Sequence, residues 1–109
     1  MATQIKVLGF GVLGNSEVAV YGPVAQGKSA LVKNMRFVNS SGSTRSLFVR
    51  VKHTGGTTQY VLPSATQMSS SIMNSYNSEI ALEYNDSLEA YADAANAVEF
   101  VISGIERDA

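Results

Sequence analysis

The chain has 109 residues, no cysteine and a formal net charge of −1. This length predicts one domain, residues 1–109, with one hydrophobic core. Without cysteine there are no disulfides, thiolate metal sites or cysteine nucleophiles, and the near-neutral charge argues against nucleic acid as a partner. The N-terminal apolar run is too short for a signal peptide or a membrane span, so no membrane partner is expected.

Short apolar segments separated by turn residues predict an all-β chain. Strands are predicted over residues 4–13, 17–21, 29–39, 44–53, 57–62, 78–83, 87–92 and 97–107. The Ser-rich residues 64–77 are expected to form a long loop with one poor strand. Eight or nine strands at this spacing predict a single-domain antiparallel β-sandwich of jelly-roll-like architecture.

Two segments allow an alternative. Residues 82–100 are rich in Ala, as a helix would be, but Leu88, Ala90, Ala92 and Ala94 keep a period of two, which favours a strand. Residues 1–16 are either an ordinary first strand or an arm that adds a strand to a neighbouring subunit.

The charges are divided unevenly along the chain. Seven of the eight basic residues lie within the first 52 positions, and eight of the nine acidic residues lie within the last 31. Either the strands of the two halves pair and neutralise each other, or a basic face of one subunit meets an acidic face of the next.

Residues Gly22 to Ser29 read GPVAQGKS and fit the phosphate-binding pattern G-x-x-x-x-G-K-[ST]. That loop acts only between a buried strand and a helix whose N-terminus meets the phosphates. Here the following residues lack a helical apolar stripe, and no strand ending in a magnesium-binding Asp follows. We therefore interpret Gly22, Gly27, Lys28 and Ser29 as a turn that leads into a strand, and expect no nucleotide or other cofactor.

Other candidate sites are weaker still. His53 is the single histidine, which argues against a His-rich metal site and leaves a Ser–His pair unsupported. The five acidic residues that could supply paired carboxylates are spaced as a solvated face: Glu79, Glu83, Asp86, Glu89 and Asp93. The five tyrosines that could stack on sugars or bases lie on separate segments, which favours packing at the edge of the core: Tyr21, Tyr60, Tyr76, Tyr84 and Tyr91. We expect no catalytic residue and no metal.

Three stretches together resemble small β-sandwich virion proteins of tailed bacteriophages. They are YGPVAQGKSALVK from Tyr21, FVNSSG from Phe37, and NDSLEAYADAANAVEFVISGIE from Asn85. The resemblance spans residues 18–107. Two features depart from the family pattern: the lysine turn is longer than its compact Pro-Ala-Gly-Lys, and the loop before the acidic strands is rich in Ser and Met.

The resemblance implies a non-enzymatic structural protein of the virion, assembled in the host cytoplasm. Family members are head decoration (cement) proteins, neck or tail components, or parts of fibres. The single small domain favours capsid decoration, with a homo-oligomer, a trimer in preference, bound to the major capsid protein or other virion proteins. A neck, tail or fibre-associated module and a carbohydrate-binding β-sandwich are the alternatives.

Overall fold

The computed structural model describes residues 3–53, 55–77 and 79–108, with side chains from Val7 onward. Within these ranges the chain forms ten β-strands. They are β1 Thr3–Val12, β2 Val18–Tyr21, β3 Lys28–Asn39, β4 Arg45–Lys52, β5 Thr58–Tyr60, β6 Thr66–Met68, β7 Ile72–Tyr76, β8 Ile80–Leu82, β9 Ser87–Ala92 and β10 Val98–Asp108.

The strands form two antiparallel sheets. The first sheet has the order β1-β10-β3-β7, with β8 also paired to β3, and the second has the order β2-β9-β4-β5, with β6 also paired to β4. Each of the pairs β5/β6 and β7/β8 shares one side of a long strand, so ten strands fill eight positions. The first strand pairs with the last, and each following strand pairs one step further inward, which is a long hairpin rolled into a sandwich, as in a jelly roll.

The predicted β-sandwich is therefore confirmed, and one local prediction is wrong. Residues 64–77 are not a loop with one poor strand, because β6 and β7 both lie there. Neither strand alternates clearly in sequence, since each is short and pairs at the margin of its sheet. The Ala-rich segment is β9, a turn and the start of β10, as its period of two predicts.

The core fills the space between the sheets. On β10, Val98, Phe100 and Ile102 point inward, while Glu99 and Val101 are exposed on the opposite side. Met35 and Phe37 on β3 alternate in the same way. Full burial of side chains of this size contributes roughly 1.5–3 kcal/mol each, which sets the register of the long strands.

Two glycines allow close backbone approaches at bulges in the first sheet. A Cβ at Gly9 would overlap the carbonyl oxygen of Val20, and a Cβ at Gly104 would overlap that of Leu31. The register of β1 shifts at Gly9, and that of β10 shifts at Gly104. A missing side chain is what a strand needs where another backbone crosses it this closely.

Residues 3–12 lie in the sheet as β1 and pair with β10 from Thr3 to Val12. This is the arrangement of an ordinary first strand. Met1 and Ala2, also part of the proposed arm, lie outside the described residues, so an added strand in a neighbour stays a hypothesis.

Candidate interaction surface

The phosphate-loop-like segment lies at one end of the sandwich and leads into a strand. Lys28 N donates to Ala25 O at 3.0 Å, which closes a turn, and β3 begins at Lys28. Val24 is buried, and its backbone exchanges hydrogen bonds with Asn85 and Asp86.

From Ser29 onward the backbone is paired with neighbouring strands of the first sheet. Ser29 lies opposite Arg107 on β10, and Ala30 lies between Glu106 and Leu82 of β10 and β8. The predicted absence of a helix after the loop is confirmed in this part of the chain. That Gly22, Gly27, Lys28 and Ser29 bind no nucleotide stays a prediction.

Polar pairs occupy the same end of the molecule. Lys28 Nζ lies 2.7 Å from Asp108 Oδ1, and this hydrogen bond and charge raise the pKa of Lys28. The Tyr21 hydroxyl donates to Glu106 Oε2 at 2.6 Å. Burial, and then the hydrogen bond to Glu106, raise the pKa of Tyr21 well above its usual range. The lysine of the motif therefore serves as an ion-pair partner of the last strand.

The basic first half of the chain is paired with the acidic second half. Besides Lys28, three basic residues form such ion pairs within the described part of the chain. These are Lys33 with Glu79 at 2.7 Å, Arg45 with Asp93 at 4.0 Å, and Arg50 with Glu89 at 3.0 Å; Arg50 also contacts Glu17. Pairing with Lys33 lowers the pKa of Glu79. The first interpretation of the uneven charges, neutralisation between strands, describes these residues.

The acidic residues do not form one solvated face. Asp86 is buried, accepts a hydrogen bond from Glu83 N at 3.0 Å, and lies 3.5 Å from His53 Nδ1. Glu89 is largely covered beside Arg50. The solvated-face prediction is wrong for both, because each carboxylate has partners that compensate for its burial. Glu79, Glu83 and Asp93 are exposed.

No metal-binding cluster forms around these groups in the described ranges. The other ring nitrogen of His53, Nε2, lies 3.1 Å from Gln59 Oε1. Within residues 3–53, 55–77 and 79–108, no three His, Cys, Asp or Glu side chains are placed to share a metal ion. None of these residues belongs to a helix that could span a bilayer.

The tyrosines do not gather on one surface. Tyr91 stacks on Phe48 with ring centroids 4.4 Å apart, and Tyr76 lies 6.2 Å from Phe37. Tyr60 and Tyr84 are about half exposed, one on β5 and one in the turn before β9. The described tyrosines thus include packed rings at the core margin and single exposed rings on different elements.

A different surface carries the chemistry of an interaction site. On the outer face of the first sheet, β1, β10, β3 and β7 align two rows of side chains at one end. One row is Phe10, Val101, Arg36 and Ser75, and the next is Val12, Glu99, Val38 and Met73. We name the two rows without Ser75 the outer patch.

The outer patch is unusually apolar for an exposed surface. Phe10 is 76% exposed, and Val12, Met73 and Val101 are each about half exposed. Phe10, Val12 and Val101, together with the backbone at Gly11, line a shallow groove of about 240 Å³. Clustered exposed apolar side chains mark contact surfaces, whereas single ones do not.

Arg36 and Glu99 are the charged members of the outer patch. They lie on neighbouring strands at diagonal positions, because Arg36 is opposite Val101 and Glu99 is opposite Val38. Neither forms an ion pair within the described part of the chain. No pattern in the sequence indicates this surface, because its members come from four strands and meet only through the sheet register.

Comparison with known protein families and with curated proteins finds no match. Among solved structures, a chain in the structure of infectious bursal disease virus, Gx strain, matches with a TM-score of 0.56 and 12% identity, over 96% of this chain and 32% of that chain. This chain therefore spans about a third of the virus chain. A pentameric capsid protein isolated from metagenomic phage sequences matches over 94% of this chain and 59% of its own, at 19% identity and a TM-score of 0.45. The first likeness shows a shared fold; the second score is too low to carry a conclusion.

Proposed function

We propose that this chain is a non-enzymatic structural protein of a bacteriophage virion, and that it decorates and stabilises the capsid as a homo-oligomer. The observation that carries the proposal is an antiparallel, jelly-roll-like sandwich whose first sheet leaves an apolar patch on its outer face. The fold likeness to a chain of infectious bursal disease virus supports it, and so does the resemblance of residues 18–107 to small virion proteins.

Decoration requires contacts with the shell and with other copies of the chain. A protein that binds only the assembled shell stabilises it by mass action, without any catalytic step. The outer patch is available for the contact with other copies of the chain. The major capsid protein or another virion protein is the partner for the second contact, and a trimer is the oligomer expected from the resemblance.

Copy number in purified particles tests the location. In a symmetric particle, a decoration protein occupies on the order of hundreds of equivalent sites, whereas a neck or tail component is present in about a dozen copies or fewer. Quantitative mass spectrometry of the phage particles that carry this chain, calibrated with labelled peptides, gives the number directly. A count near a dozen would move the protein to the neck or tail, and absence from particles would refute the proposal.

Addition of the protein to shells that lack it tests the activity. We expect the shell's thermal disruption temperature to rise with protein concentration and to saturate, because binding favours the assembled state. Saturation without any change in disruption temperature would exclude a stabilising role. Lys28→Ala should leave this effect intact, since the proposal assigns no role to nucleotide.

A further inference from the structure

We propose that the outer patch binds the outer patch of a second copy of this chain, through a two-fold contact in which Arg36 of each copy pairs with Glu99 of the other. This deepens the homo-oligomer of the proposed function by naming its surface and partner. The contact itself follows from charges and register that are independent of the virion role.

The partner follows from the charge pattern. An apolar patch that carries one cation and one anion, both without an ion pair in the described chain, complements a copy of itself. A partner of a single charge would leave either Arg36 or Glu99 facing a like charge or no charge. In an isologous contact, by contrast, both are neutralised at once.

The symmetry axis follows from the positions of four side chains. Val101, Arg36, Glu99 and Val38 form the central block of the outer patch, with the charges on one diagonal and the valines on the other. A two-fold axis along the valine diagonal places each valine against its own copy. The same rotation places Arg36 against Glu99 in both directions.

The strands of the two copies then cross at a defined angle. Strands lie about 4.8 Å apart, and alternate residues along a strand lie about 6.8 Å apart. The valine diagonal therefore runs about 35° from the strands, so the two sheets cross at about 70°. This lies nearer to orthogonal than to aligned sheet packing.

The size of the overlap predicts a weak contact. The first sheet is four positions wide, about 19 Å at the usual strand spacing. Two such faces that cross at about 70° overlap over about 400 Å² on each copy, or about 800 Å² in total. Stable complexes bury about 1,200–2,000 Å² in total, so we expect a dissociation constant on the order of 10–100 µM.

Charge reversal tests the reciprocal pairs. Sedimentation equilibrium from about 5 to 500 µM brackets the expected constant, and we expect wild type to approach twice the 11.6 kDa mass of one chain. Arg36→Glu and Glu99→Arg should each remain at half the wild-type mass, because each creates two like-charged pairs across the axis. A 1:1 mixture of these two variants should restore the wild-type mass, because both pairs are then complementary.

The first sheet offers matched controls. Arg107 and Glu83 border a second groove at the other end of the same face, and neither forms an ion pair in the described chain. Arg107→Glu and Glu83→Arg should keep the wild-type mass. Val101→Asp should halve the mass, because it places two carboxylates together on the axis. Val18→Asp should keep the wild-type mass, because Val18 is a similarly exposed valine on the second sheet. Circular dichroism checks that each variant is folded.

The outcomes separate this contact from the proposed function. If the chain also forms a trimer through another surface, the outer patch joins two trimers and the same variants halve that larger mass. The contact would be overturned if wild type and Arg36→Glu had the same mass in solution. It would also be overturned if the 1:1 mixture of Arg36→Glu and Glu99→Arg failed to restore the wild-type mass. If the chain is found in particles but forms no dimer in solution, only this inference is refuted. If the chain dimerises in solution but is absent from particles, only the virion role is refuted.

Discussion

Replacement of Asn39 by Ala should be among the most costly polar substitutions in this fold. Asn39 is fully buried at the end of β3. Its Nδ2 donates to the carbonyl oxygens of Ser43, Met68 and Ser69 at 2.9, 3.1 and 3.0 Å, and its Oδ1 accepts from Ser41 N at 3.0 Å. One amide thus ties the β3–β4 turn to the end of β6.

The magnitude follows from the groups left without partners. The amide supplies two N–H donors and one acceptor to backbone groups, and each such hydrogen bond is worth about 1 kcal/mol net. Asn39→Ala should therefore lower the free energy of unfolding by about 3 kcal/mol. At this chain length, that loss corresponds to a fall in Tm of about 12 °C or more.

Asn34→Ala is the matched control on the same strand. The Asn34 amide donates to Ser75 Oγ at 3.0 Å and Asn77 Oδ1 at 2.6 Å, but both bonds are exposed. Water replaces such partners, so the loss should stay within about 0.5 kcal/mol. Urea unfolding followed by circular dichroism measures both variants.

Asn39→Asp separates lost hydrogen bonds from lost volume. The substitution keeps the size but places a carboxylate oxygen opposite three carbonyl oxygens, so the loss at neutral pH should equal or exceed that of Asn39→Ala. Equal stabilities for the Asn39→Ala and Asn34→Ala proteins would refute the hydrogen-bond argument. An Asn39→Asp protein as stable as wild type would also refute it.

Three further outcomes follow from individual contacts. Gly104→Ala should destabilise the fold by about 1–3 kcal/mol through backbone overlap, whereas Gly42→Ala, with open space around it, should be nearly neutral in the same urea titration. The raised pKa of Tyr21 gives stability that is present below about pH 10 and lost as pH rises toward the folded-state value, so wild type should lose more stability than Tyr21→Phe in alkaline melts. Lys28→Ala should leave titration calorimetry with magnesium–ATP as flat as that of wild type; ATP binding by wild type that this change abolishes would overturn the interpretation of the motif.

The sequence predicts the long strands because they combine burial with alternation. On β4, Leu47, Val49 and Val51 face the core at a period of two, and this signal is local. β6 and β7 lack it: Met68 is buried at the end of a three-residue strand, and Met73 is exposed on the outer face. Their pairing with β4 and β3 depends on the sheet and not on their own residues.

Contacts between residues far apart in the sequence could not be predicted either, because they also depend on the sheet register. Arg50 and Glu89 are 39 positions apart, and they meet because β4 and β9 pair in one register. A bulge such as the one at Gly104 shifts the register between β10 and β3 by one residue. The uneven charge distribution was visible in the sequence, but its pairing required the register of both sheets.

This pairing changes what the charges predict for assembly. Four basic residues of the first half are engaged with acidic residues of their own chain, so these four are not free to form a basic face toward a neighbouring subunit. The charges left for the proposed contact are Arg36 and Glu99, which give two reciprocal exposed pairs worth about 0–1 kcal/mol each. One molar salt shortens the screening length to about 3 Å and should weaken the dimer by about thirtyfold or less, as sedimentation equilibrium at low and high salt would measure. A loss of a hundredfold or more would instead favour opposed basic and acidic faces, and would mean that apolar burial by Phe10 and its neighbours is not what holds the copies together.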